Sequence, residues 1–124
     1  MGHTVARVKI YNSHNYTKSI ELSLLVDTDS TYTWVKQSRL LRLDIETIGR
    51  RKFKTIENRV IERDIGEAVI ECMGRRATCI IVFAEESDNE VLGVTALENL
   101  GLEVDPITKQ LREVEAILAL HSFD

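Results

Sequence analysis

The chain has 124 residues, 44% apolar and 29% charged, with acids and bases interspersed to a net charge of −4. That is enough for one domain with a real core and too little for two. The charge balance argues against a nucleic-acid platform, and no apolar run approaches the length needed to span a membrane.

The N-terminal MGHTVARVKIYN has no basic region followed by an apolar stretch, so a cytoplasmic protein is expected. Alternation at Val5-Ala6-Arg7-Val8-Lys9-Ile10-Tyr11 predicts a half-buried strand, ended by Asn12-Ser13-His14-Asn15. Residues 19–26 read as its continuation or partner. Over residues 35–43, Val35, Leu40, Leu41 and Leu43 with Ser38 as a cap predict a short helix or turn. Residues 52–56 and 59–65 alternate about Glu57-Asn58, a projecting hairpin whose asparagine tolerates left-handed backbone. Residues 67–73 and 77–83 form a second hairpin about Gly74-Arg75, with Cys79-Ile80-Ile81-Val82-Phe83 apolar enough for a central strand. Beyond the acidic loop at residues 85–90, Val91-Leu92-Gly93 leads to Thr95-Ala96-Leu97-Glu98, a capping-box pattern opening a short helix that Gly101 can close. Leu102-Glu103-Val104 then turns through Asp105-Pro106 into residues 110–120, which fit strand and helix alike and are assigned here as strand.

Two basic stretches, residues 50–54 and Arg75-Arg76, are explained by a solvated face. Cys72 and Cys79 flank the second turn, and two reduced, half-buried thiols are expected. His3, His14 and His121 are scattered in the sequence and no Cys/His cluster has zinc spacing, so neither metal nor cofactor is expected.

Chemistry concentrates in Leu24-Leu25-Val26-Asp27-Thr28-Asp29-Ser30. Asp and Ser are common turn residues, so a plain inter-strand turn is one reading. Another is a phosphatase-like D-x-D-x-T, with Asp27 as nucleophile, Asp29 as general acid/base and Thr31 placing phosphate. That chemistry requires an alternating βα chain and Mg²⁺ ligands, whereas this chain is hairpin after hairpin.

The same segment resembles the aspartate turn of retroviral-type (retropepsin-like) aspartic peptidases, in which apolar residues precede Asp-Thr-Gly-Ser or Asp-Thr-Gly-Ala. Val91-Leu92-Gly93 before the helix resembles the family's second apolar-apolar-Gly segment, and a hairpin lies between them in the flap position. The chain is especially similar to small stand-alone archaeal and bacterial members. The resemblance implies an all-β, closed-barrel-like fold with one short C-terminal helix, spanning residues 1–124 as a single peptidase domain. It also implies a homodimer, because hydrolysis by carboxylates needs two groups sharing a proton and one such turn supplies one. Each chain would give Asp27, one protonated and one ionised, with Thr28 locking the two turns together. The substrate would be an extended peptide or protein segment, with Ile56, Asn58 and Val60 of the flap lining its groove; Ile56 and Val60 fit dimer contacts equally well.

Where the family has glycine, this chain has Asp29, and the same exchange recurs at Asp44 and Asn58. Asp and Asn best tolerate left-handed backbone, so the turns are expected to survive. An extra acid beside the pair would push activity to lower pH, abolish it, or create a four-carboxylate site attracting a divalent cation. A silent peptide-binding or scaffold dimer of the same fold is therefore the alternative function. Flap tips of the family usually carry glycine and this one has none, so closure is expected to be stiffer. Tyr32 and Trp34, two apart on one strand face, are expected in the core or the groove wall.

Overall fold

A computed structural model describes residues 3–115. The first two strands, β1 (Val5–Asn12) and β2 (Asn15–Asp27), are antiparallel partners with Val5 opposite Leu25 and Ile10 opposite Ile20. Asn12 holds the intervening turn, its Oδ1 accepting the His14 N–H at 2.8 Å. After the aspartate turn come β3 (Thr33–Lys36) and α1 (Gln37–Arg42). The predicted helix is thus present, but Val35 belongs to the strand before it. Lys36 takes the N-cap position with no side-chain cap, so Ser38 lies inside the first turn.

Two hairpins follow and share one long strand. In the first, β4 (Thr47–Lys54) pairs with β5 (Val60–Cys72) through a tip in which Asn58 has φ 65°, the left-handed conformation its side chain tolerates. In the second, β5 returns through Met73-Gly74 into β6 (Arg75–Ala84). The turn sits one residue earlier than the expected Gly74-Arg75, because Cys72 pairs with Arg75 and leaves Met73 (φ 53°) and Gly74 (φ 77°) as central residues, both in the left-handed region favoured by two-residue hairpins. The sequence suggested two separate strands at residues 59–73; the structure has one.

The last elements are β7 (Val91–Gly93), α2 (Val94–Leu100), β8 (Leu102–Val104) and β9 (Leu111–Glu113). Gly101, with φ 70°, closes α2 as expected. Arg75 is no idle solvated cation: its guanidinium donates to the Leu100 and Gly101 carbonyls at the C-terminal end of this helix, at 3.1 and 3.2 Å. Strand is observed at Leu111–Glu113, pairing with β8, while residues 116–120 and His121 lie outside the described residues.

Strand order is β1-β2-β7-β3-β6-β5-β4, and β1 also pairs with β5. Six strands therefore close into a barrel-like ring, with β4 attached outside it as the outer arm of a hairpin. As expected, β6 is central, lying between β3 and β5. Alternation sends Ile10, Leu24, Val35, Ile70, Ile81 and Leu92 inward, each 0–2% exposed. A side chain so placed contributes about 1.5–3 kcal/mol by burial. Among the described residues, no helix is long and apolar enough to cross a membrane.

Cys72 and Cys79 are free, and both are fully buried rather than half-buried. In register, Cys72 lies opposite Arg75 and Cys79 opposite Ala68, so they are not cross-strand partners. Burial pushes both thiols up from their ordinary value, and the Asn99 amide opposes this only in part at Cys79. Both are expected to resist an aromatic disulfide reagent at neutral pH and to react together in denaturant, a difference of at least about tenfold in rate.

Candidate active site

Asp27 is the last residue of β2, and the chain leaves it in a tight turn. Its Oδ1 accepts the backbone N–H of Asp29 at 3.0 Å and its carbonyl accepts that of Ser30 at 3.1 Å. The Ser30 hydroxyl donates to the Tyr32 carbonyl at 2.8 Å, so the serine is spent on shaping the turn. Asp27 is half-buried, whereas Thr28 and Asp29 are exposed. Asp29 is not among the residues with positive φ, although Asp44 (φ 57°) and Asn58 are. The expectation that left-handed tolerance explains the exchange holds at Asp44 and Asn58 and fails at the aspartate turn.

What fixes this turn is β7, which lies between the strands on either side of it. Asp27 pairs with Gly93 in parallel register, and Trp34 of β3 pairs with Val91 from the other side. The Thr33 hydroxyl, fully buried, accepts the Gly93 N–H at 3.0 Å, and the Val94 and Thr95 N–H groups donate to the Ser30 and Thr31 carbonyls at 2.8 and 3.1 Å. Here the capping box does not form. Gly93 is the N-cap, with no side-chain cap, and the Thr95 hydroxyl instead donates to the Thr31 carbonyl. The start of α2 is thereby tied to the turn it underlies.

Beside the turn runs a groove of about 490 Å³, lined on one side by Asp29, Tyr32 and Trp34 and on the other by Arg51, Phe53 and their β4 neighbours. Phe53 meets Tyr32 edge-on at 6.2 Å between ring centroids and Trp34 at 4.9 Å, so the two aromatics are groove-wall residues. Arg51 donates to the Tyr32 hydroxyl. Reading residues 50–54 as a solvated face thus missed half of this wall; the signal was Arg51-x-Phe53, two apart on a strand, matching Tyr32-x-Trp34. The hairpin tip is elsewhere. Ile56 and Val60 are strongly exposed, and neither they nor Asn58 line this groove.

From β5 of the same hairpin, the Arg63 guanidinium donates to Asp88 in the loop after β6 at 2.7 and 3.0 Å and holds its carboxyl below the ordinary range; burial opposes this, and the Glu85 N–H adds to it. A lowered folded value means that the pair's stabilisation is fully present above the unfolded value, near about pH 4, and fades as pH falls through the folded one. Asp88→Asn is expected to cost about 1–3 kcal/mol at neutral pH and to flatten the acid limb of thermal unfolding.

Among the described residues, no group of His, Cys, Asp or Glu is arranged to hold a metal ion. Nor does the fold supply the alternating βα units that the D-x-D-x-T reading requires.

No family model matches the sequence, and no curated protein matches it. In three dimensions the chain is similar to the protease of simian foamy virus (mac) in its solution structure, with a TM-score of 0.51, 18% identity, and coverage of 77% of this chain and 92% of that one. At that identity the likeness is one of fold. The chain has an all-β, retropepsin-like fold.

Proposed function

We propose that residues 1–124 form one peptidase domain, that two copies associate as a homodimer, and that the dimer is an aspartic endopeptidase cleaving extended peptides with Asp27 from each chain. The observation that carries this reading is a half-buried carboxylate at a strand end, in a turn clamped between β2, β7 and β3 beside an open groove. Such a carboxylate alone has no partner to share a proton with, and a twofold-related copy supplies one. In the dimer one Asp27 acts as base on water while the other, protonated, donates to the scissile carbonyl. Thr28, exposed at the turn, is the residue through which the two turns would lock. A second, largely apolar groove of about 540 Å³, lined by Thr28, Val94, Leu97, Leu102, Val104 and Val114, opens at the same turn and offers a seat for the partner. The finer affinity, with small stand-alone archaeal and bacterial peptidases, rests on the sequence resemblance.

One observation favours the second reading, a peptide-binding dimer that does not cut. Asp29 is exposed on the turn, where a partner's carboxylates would come close. To separate the two, a mixed peptide library is incubated with the protein between about pH 3 and 8, with and without a statine-type transition-state mimic, while sedimentation reports the oligomeric state. The peptidase reading expects a dimer and cleavage that the mimic abolishes. A dimer that retains peptides uncut supports the binding reading, and a monomer at all concentrations sinks both.

A further inference from the structure

We infer that the groove beside the aspartate turn selects peptides carrying an acidic side chain, with Arg51 as the receptor for its carboxylate. This rests on the reading of that groove as a peptide site. The argument comes from charge matching along one hairpin. Register places Arg51 of β4 directly opposite Arg63 of β5, two cations on one face. Arg63 is compensated by Asp88 and Glu85, the latter at 3.4 Å. Arg50, which alternation points to the opposite face, is compensated by Asp64 at 3.0 Å and Glu62 at 3.6 Å. Among the described residues Arg51 has no carboxylate within ion-pair distance, although it lies between two arginines that do. Lys52 and Lys54, which also border the groove, have none either. Lys52 and Lys54 share the face of Arg50, so Arg51 is the cation that alternation turns toward the groove, whose one acid, Asp29, is not ion-paired with it.

Arg51 is also held in place. Its guanidinium lies 5.4 Å from the centroid of the Tyr32 ring and donates to that residue's hydroxyl. A guanidinium oriented in this way keeps further N–H donors for an incoming carboxylate and loses little side-chain freedom on binding it. Beside it, Tyr32, Trp34 and Phe53 line the groove with apolar surface against which the methylenes of a glutamate pack. Arg51 is a specificity residue in this view and takes no part in bond cleavage.

The test uses Trp34, the chain's one tryptophan, as its own reporter because it lines the groove. Peptides of about ten residues, identical except for a Glu, Gln or Lys walked through the sequence, are titrated against Asp27→Asn protein and followed by tryptophan fluorescence. At one position Glu is expected to bind about tenfold tighter than Gln, and Lys more weakly than either. In Asp27→Asn/Arg51→Gln the Glu-to-Gln ratio should fall to about one, with the Gln peptide's affinity unchanged. Equal affinities at every position, a ratio that survives Arg51→Gln, or no binding by any peptide overturns the inference. The same peptides offered to the unmutated chain separate the two readings. An Arg51-dependent preference without cleavage leaves this inference standing and removes the peptidase, and cleavage without the preference does the reverse.

Discussion

Replacing Asp27 by asparagine is expected to remove peptide cleavage, a loss of about a thousandfold or more in kcat/KM, while Asp29→Gly raises it at least about tenfold. Asparagine keeps the shape of the site, since its side-chain oxygen can still accept the Asp29 N–H that Asp27 accepts at 3.0 Å. The turn should therefore hold and stability should barely move. What is lost is the group that ionises, and with it the division of labour between a base and an acid. Asp29→Gly acts oppositely. It withdraws one exposed carboxylate from each turn, so that a pair of Asp27 side chains would share a proton with less negative charge nearby. The exchange has a small backbone cost, because Asp29 does not adopt the left-handed conformation that would favour glycine, and extra freedom in the unfolded chain costs up to about 1 kcal/mol. Both variants are assayed at equal dimer concentration with enzyme in excess. Should Asp29→Gly leave the rate unchanged, the Asp29 side chains point away from the reacting centre. Cleavage that survives Asp27→Asn rules out the proposed chemistry.

Much of the ring was legible because strands that alternate write their period into the sequence. Both hairpins, the central β6 and the helix closed by Gly101 followed from local pattern and turn chemistry. Features decided by tertiary contact were harder to read. Thr95 and Glu98 look like a capping box, but the threonine is taken by the Thr31 carbonyl, 64 positions away in sequence. The segment at residues 50–54 looks like a solvated run, and only the pairing of β4 with β5 brings Arg51 and Phe53 to the groove beside Tyr32 and Trp34. At Asp29 the left-handed tolerance that the residue type suggested is not used by the backbone. Residue type reports what a conformation permits, whereas the turn at Asp27 is held by hydrogen bonds from β7 and α2.

Gly93 puts that clamp to a direct test. Its backbone is ordinary extended chain, φ −88° and ψ 171°, which any residue adopts, so substitution carries no conformational penalty of its own. A Cβ there would nevertheless run into the Tyr32 carbonyl and lie 2.9 Å from that of Ser30. Neither oxygen can swing aside as a side chain would, because β7 is hydrogen-bonded to strands on both flanks. Gly74 is the opposite case, left-handed at φ 77° with nothing within 4 Å of an added Cβ. Gly93→Ala is accordingly expected to cost about 3 kcal/mol or more in urea unfolding, and Gly74→Ala about 1–2 kcal/mol, with Gly74→Asn recovering most of that loss. Both are measured at one protein concentration, since a dimer's apparent stability depends on it. The order of the two costs decides the point. A Gly93→Ala variant that unfolds no more easily than Gly74→Ala would mean that β7 shifts to admit a methyl group, and the aspartate turn would then rest on a softer support than its hydrogen bonds imply.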